Sequence, residues 1–144
     1  MSYNLSLLIH IAGIMLLFAA FGGMGFHGAN GGTKETNRSK GVMAALHGVG
    51  LLLILGGGFM MFGHIGISHG GPWPVWLMIK MFIWVLLGAY SVFFKRLPKA
   101  GIPLLLGAIV LGLVSGYLAK MKPGAETGPL EAPAIELSVD GSGE

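Results

Sequence analysis

Two ionisable side chains interrupt segments that are otherwise almost wholly apolar. Lys80 lies within Val75-Trp76-Leu77-Met78-Ile79-Lys80-Met81-Phe82-Ile83-Trp84-Val85-Leu86-Leu87, and His10 lies within the run from Leu5 to Met24. An ammonium at mid-bilayer costs roughly 3 kcal/mol on insertion scales, so such a group faces a polar interior, a cofactor or water. An imidazole at similar depth can ligate a haem iron or relay a proton. Trp84 follows Lys80 by one helical turn and can offer its ring face to the cation. His47 and His64 occupy a second apolar run, and the spacing from His47 to His64 repeats that from His10 to His27. Pairing His10 with His64 and His27 with His47 would make two bis-histidine haem sites. At about 100° per residue, however, each pair is turned off a common face. The plainer alternatives are a packed histidine bonded to a neighbouring backbone, and a Lys80 whose stem snorkels to the interface. Met60-Met61 with His64 offers thioether and imidazole, a donor set suited to copper. The chain has no cysteine, which excludes disulfides and thiolate chemistry.

The elements that must position these residues follow from hydropathy. Of 144 residues, 53% are hydrophobic and 10% charged, against about 25% charged in a typical soluble domain. Mean hydropathy is +0.76. Four apolar runs of about 20 residues each match a hydrocarbon core: roughly Leu5–Met24, Gly41–Gly63, Pro74–Phe94 and Ile102–Ala119. None alternates in the two-residue manner of a barrel strand, so the runs read as helices. The expected fold is an all-α membrane protein, an antiparallel four-helix transmembrane bundle spanning 1–122, with a flexible acidic tail at 123–144. That tail holds five of the six acidic residues. The first run lacks a basic flank and a cleavage site, and reads as a retained span. Pro74 and Pro103 suit helix starts. Trp73 and Trp76 suit the membrane interface. Glycines such as Gly22-Gly23, Gly56-Gly57-Gly58 and Gly112/Gly116 suit close helix packing.

Basic residues set the expected orientation. Lys34, Arg38 and Lys40 lie in the first connection and Lys95, Arg96 and Lys99 in the third, against Lys120 and Lys122 at the C-terminal end. The first and third connections are therefore expected in the cytoplasm and both termini outside, in a cell inner membrane. At 1.5 Å per residue, His10 and Lys80 then lie about 8 to 9 Å below the outer ends of helices one and three. If the two faces meet, they form one polar site in the bundle. His64 joins them in the outer half, whereas His27 and His47 lie in the inner half. The short basic clusters give no reason to expect a nucleic-acid partner. The lack of an intramembrane carboxylate argues against an ion-coupled transporter built on one.

Three segments resemble a known family. Leu7-Leu8-Ile9-His10-Ile11, Trp76-Leu77-Met78-Ile79-Lys80-Met81, and Leu87-Gly88-Ala89-Tyr90 with Lys95-Arg96-Leu97 resemble elements of the four-helix HemJ-type protoporphyrinogen oxidases and the similar SirB and CopD-like proteins. The resemblance implies haem binding and protoporphyrinogen oxidation, with His10 and Lys80 as the functional pair. The leading expectation is thus a haem-associated redox membrane protein. Its cofactor would be haem b, with His10 as metal ligand, Lys80 as catalytic cation, and Trp84, His47 and His64 as further cofactor contacts. The competing expectation is a non-enzymatic accessory subunit. Its Gly-rich faces would pack against other membrane subunits or a second copy within the lipid bilayer.

Overall fold

With no water in the hydrocarbon core, each spanning segment must satisfy its own backbone, and four helices do so here. The computed structural model describes residues 2–67 and 73–122. Helix α1 runs Tyr3–Ala29, α2 Lys40–Met60, α3 Val75–Arg96 and α4 Gly101–Met121. Short 3₁₀ turns at Phe62–His64 and Pro98–Ala100 follow α2 and precede α4. All four spans are long and apolar enough to cross a membrane. The acidic segment 123–144 and His69 fall outside the described residues.

The helix ends differ from the sequence reading in instructive ways. Ser2 caps α1, its Oγ accepting from Leu5 N–H at 3.4 Å. At its other end α1 continues past Met24 through a Gly-rich stretch to Ala29. Tertiary contact explains the extension: a Cβ on Gly25 would sit 3.0 Å from the Gly101 carbonyl, so the start of α4 lies directly on α1 there. The helix stops where Asn30 N–H bonds back to Phe26 O and Gly31 takes a left-handed φ of 79°. Helix α2 ends at Met60 rather than Gly63, because Ile65 and Ile67 N–H both turn back onto Phe62 O. Pro74 caps α3, as its position predicts, and its carbonyl accepts from Leu77 N–H.

Helix α1 is the organising element, packed along α2 and also against α4, while α3 packs chiefly on α4. Its seam with α2 is backbone on backbone. A Cβ on Gly13 would fall 2.7 Å from Gly50 O, and one on Gly57 would fall 2.7 Å from His10 N. Such approach is what small residues allow between membrane helices. Leu17, Phe21, Ile83, Leu87, Phe94 and Ala108 form the bundle core, with Phe21 stacked on Phe94 at 5.5 Å. Leu106, Val110, Leu113 and Tyr117 on α4 remain exposed. An apolar outer surface of this kind suits a lipid environment.

Candidate functional site

The glycine seam places His10. Because Gly57 lets the α1 and α2 backbones touch, the imidazole lies against α2 and its Nδ1 comes 2.6 Å from Ile54 O. A carbonyl only accepts, so Nδ1 carries the proton and donates. In neutral His10 the lone pair is therefore on Nε2. Metal-ligating histidines are commonly held in this way, by a backbone carbonyl on the nitrogen remote from the metal.

Lys80 lies about 8 Å into α3, and it lines the same cleft as His10, a space of about 600 Å³. Its charge is within electrostatic reach of the imidazole. Side chains of helices one and three therefore line one cavity. Lys80 is half-buried and has no hydrogen-bond or ion-pair partner among the described residues. Glu35, at the far end of the molecule, is the only acidic residue among them.

Trp84 lines the cleft too, but in a different role from the one its spacing suggests. Its Nε1–H donates to Leu51 O on α2 at 3.1 Å, and no cation–π contact joins it to Lys80. A Cβ on Gly88, one turn further on, would meet only the Leu51 side chain, at an ordinary 3.6 Å. Tryptophan 76 is the larger departure. Read as an interfacial anchor, it is instead 5% exposed, and its buried Nε1–H has no acceptor among the described residues. It also lines the cleft, as does Lys122, which caps α4 in a left-handed conformation. Trp76, Lys80 and Trp84 recur every fourth residue and so share a slowly turning stripe of α3. That repeat was the available signal for Trp76. Lys122 carried none beyond its charge.

His47 and His64 do not join this cleft. His47 Nε2–H reaches Leu87 O at 3.3 Å, with its ring tilted against Phe21. It lines a second pocket at the opposite end of the bundle, together with His27. His27 Nε2 is itself held at 2.9 Å from Thr33 O. His64 is exposed on the 3₁₀ turn, edge-on to Tyr3 at 6.0 Å. Among the described residues no group of three His, Cys, Asp or Glu side chains converges as a metal site.

The cleft thus combines, within largely apolar walls, one oriented imidazole with an ammonium and a Trp N–H that have no partner among the described residues. Chemically it can receive an apolar molecule that carries an acidic group, and it can present a nitrogen lone pair to it. No protein-family model, curated protein or solved structure matches this chain.

Proposed function

We propose that the chain is a haem-associated redox membrane protein that takes an acidic tetrapyrrole into the cleft between α1 and α3. The observation that carries this reading is the shared cleft of His10 and Lys80, with His10 Nδ1 already engaged by Ile54 O. The residues fit the group. The volume falls within the roughly 300–1,000 Å³ of small-molecule sites, and the walls are largely apolar. His10 Nε2 is the nitrogen for iron, and Lys80 neutralises a propionate or the carboxylate of a porphyrin-like substrate. Trp76 N–H is a further donor for that acid, and Lys122 meets a second one at the cleft mouth. Haem b, when bound, supplies one-electron chemistry. The protein's part is to orient the ring, balance its acid groups and keep water from it. This assignment agrees with the activity that the HemJ resemblance implies.

The test is the absorption spectrum of purified protein, as isolated and after titration with haem in detergent. A Soret band that is lost or shifted in His10→Ala, with weaker binding in Lys80→Met, is expected. A wild-type protein that forms no Soret band under either condition overturns the reading, as does a His10→Ala spectrum identical to wild type.

One observation favours the accessory-subunit reading as a second choice. Gly48 and Gly56 on α2 have open space where a Cβ would be, so contacts within the chain do not require glycine there. Partner helices would. Colourless protein that co-purifies with larger membrane subunits would favour that choice.

A further inference from the structure

The opposite end of the bundle holds a second cavity, of about 400 Å³, that the proposed haem site does not use. It opens where the α1–α2 and α3–α4 connections meet. Three lysines from three different elements line it: Lys34 in the first connection, Lys40 at the start of α2 and Lys95 in the last turn of α3. No acidic side chain does. Glu35 is near the rim, exposed, and held below its ordinary pKa chiefly by a hydrogen bond from the Thr33 side chain and also by Lys34 and Lys40. It is therefore a carboxylate at neutral pH and offsets part of this charge without entering the cavity.

Below the lysines the walls become largely apolar, with Met24, Met43 and Phe94 interrupted by Ser91 and His47. The cavity reaches down to His47, two turns into α2 and so about 10 Å from Lys40. A polar, cationic rim thus sits above a floor at hydrocarbon depth. The rim is built into the fold: the close approach of Gly25 to Gly101 brings the end of α1 against the start of α4, beside the end of α3.

We propose that this cavity is a binding site for an anionic phospholipid. Lys34, Lys40 and Lys95 hold the headgroup phosphate, and the first acyl segment lies along Met24, Met43 and Phe94. The observations favour a lipid over a soluble phosphate because the walls below the lysines are largely apolar and lie within the membrane-spanning part of α1, α2 and α3. Juxtamembrane lysines are attracted to anionic leaflets in the same way.

The experiment uses the full chain, delipidated in detergent and titrated with phosphatidylglycerol or phosphatidylcholine, with bound lipid counted by native mass spectrometry. Phosphatidylglycerol should be retained with a preference of about a hundredfold, about fivefold for each of three lysines. The preference should vanish in K34Q/K40Q/K95Q and persist in K34R/K40R/K95R, which keeps the charge. Circular dichroism and an unchanged thermal unfolding midpoint in detergent establish that the glutamine variant is folded. Should it fail to fold, the single K34Q, K40Q and K95Q variants each carry the test, with a severalfold loss expected. Equal retention of the two lipids overturns the proposal, as does a folded glutamine variant that keeps the preference. Displacement of the lipid by equimolar glycerol phosphate overturns it in favour of a soluble anion. Failure of the haem reading leaves this outcome unaffected.

Discussion

At the scale of single residues, one hydrogen bond gives the two nitrogens of His10 different tasks. Nδ1 is bound to Ile54 O, so the imidazole ties α1 to α2 and leaves its other nitrogen as the one for a ligand in the cleft it lines. Interhelical hydrogen bonds within membranes contribute about 0.6 to 2 kcal/mol. His10→Ala should therefore lower the unfolding free energy in detergent by about that amount while abolishing any Soret band. His10→Asn, whose amide N–H can still reach Ile54 O, should recover stability without the band. Lys80 has the reverse balance. It is a cation in a largely apolar cleft with no acid partner among the described residues, and burying such a charge costs stability. Lys80→Met should make the ligand-free bundle more stable in a denaturant titration while weakening the binding of acidic porphyrins. Lys80→Arg should keep the binding. A Lys80→Met protein that is less stable than wild type would mean that the ammonium has a partner and is not held for a ligand.

At the scale of elements, the decisive feature is the seam between α1 and α2. Gly57 lies on His10 N and Gly13 on Gly50 O, so any side chain at either position must push the helices apart. Overpacking of this kind typically costs about 1–3 kcal/mol. Gly57→Val should lower stability by about that amount and also lengthen the His10–Ile54 bond, which weakens haem binding with His10 itself unchanged. Gly56→Ala is the control, since open space surrounds it, and it should be close to neutral in the same unfolding assay. The sequence marks Gly56-Gly57-Gly58 as a close-packing segment, but it cannot say which of the three faces α1. That depends on how the helices rotate against each other, which apolar runs do not specify because every face is apolar. Trp84 shows the same limit. Its place one turn from Lys80 was legible, and so was its presence in the cleft. Its N–H turned to Leu51 O because α2 passes within reach, a distance no local spacing contains. The extension of α1 to Ala29 also has a tertiary cause, the contact of Gly25 with α4.

At the scale of the whole molecule, charge is sorted by end. Six of the nine basic residues lie in the first and third connections, while Lys80 and Lys122 line the cleft at the end where α1 begins and α4 ends. Helix number and helix type were legible, because length and hydropathy set them almost alone, and so was the placing of His10 and Lys80 toward one end of the bundle. The separation of His10 from His27 and His47 was legible too; that His64 lines neither cavity was not, since it depends on which helices adjoin. His47 leans on α3 through Leu87 O, whereas His10 leans on α2. The charge sorting predicts orientation: the basic end in the cytoplasm, where leaflets are anionic, and the His10–Lys80 cleft toward the outside. Having no cysteine, the chain suits single-cysteine labelling without a background to remove. Ser39 precedes α2 with no side-chain cap bond, and Gly63 is exposed with open space around it, so both tolerate cysteine. In right-side-out vesicles a membrane-impermeant maleimide should label Gly63→Cys and spare Ser39→Cys until the vesicles are opened. The opposite pattern would place Lys34, Lys40 and Lys95 on the outer leaflet. It would also open the cleft to the cytoplasm, so that acidic ligands would have to arrive from that side.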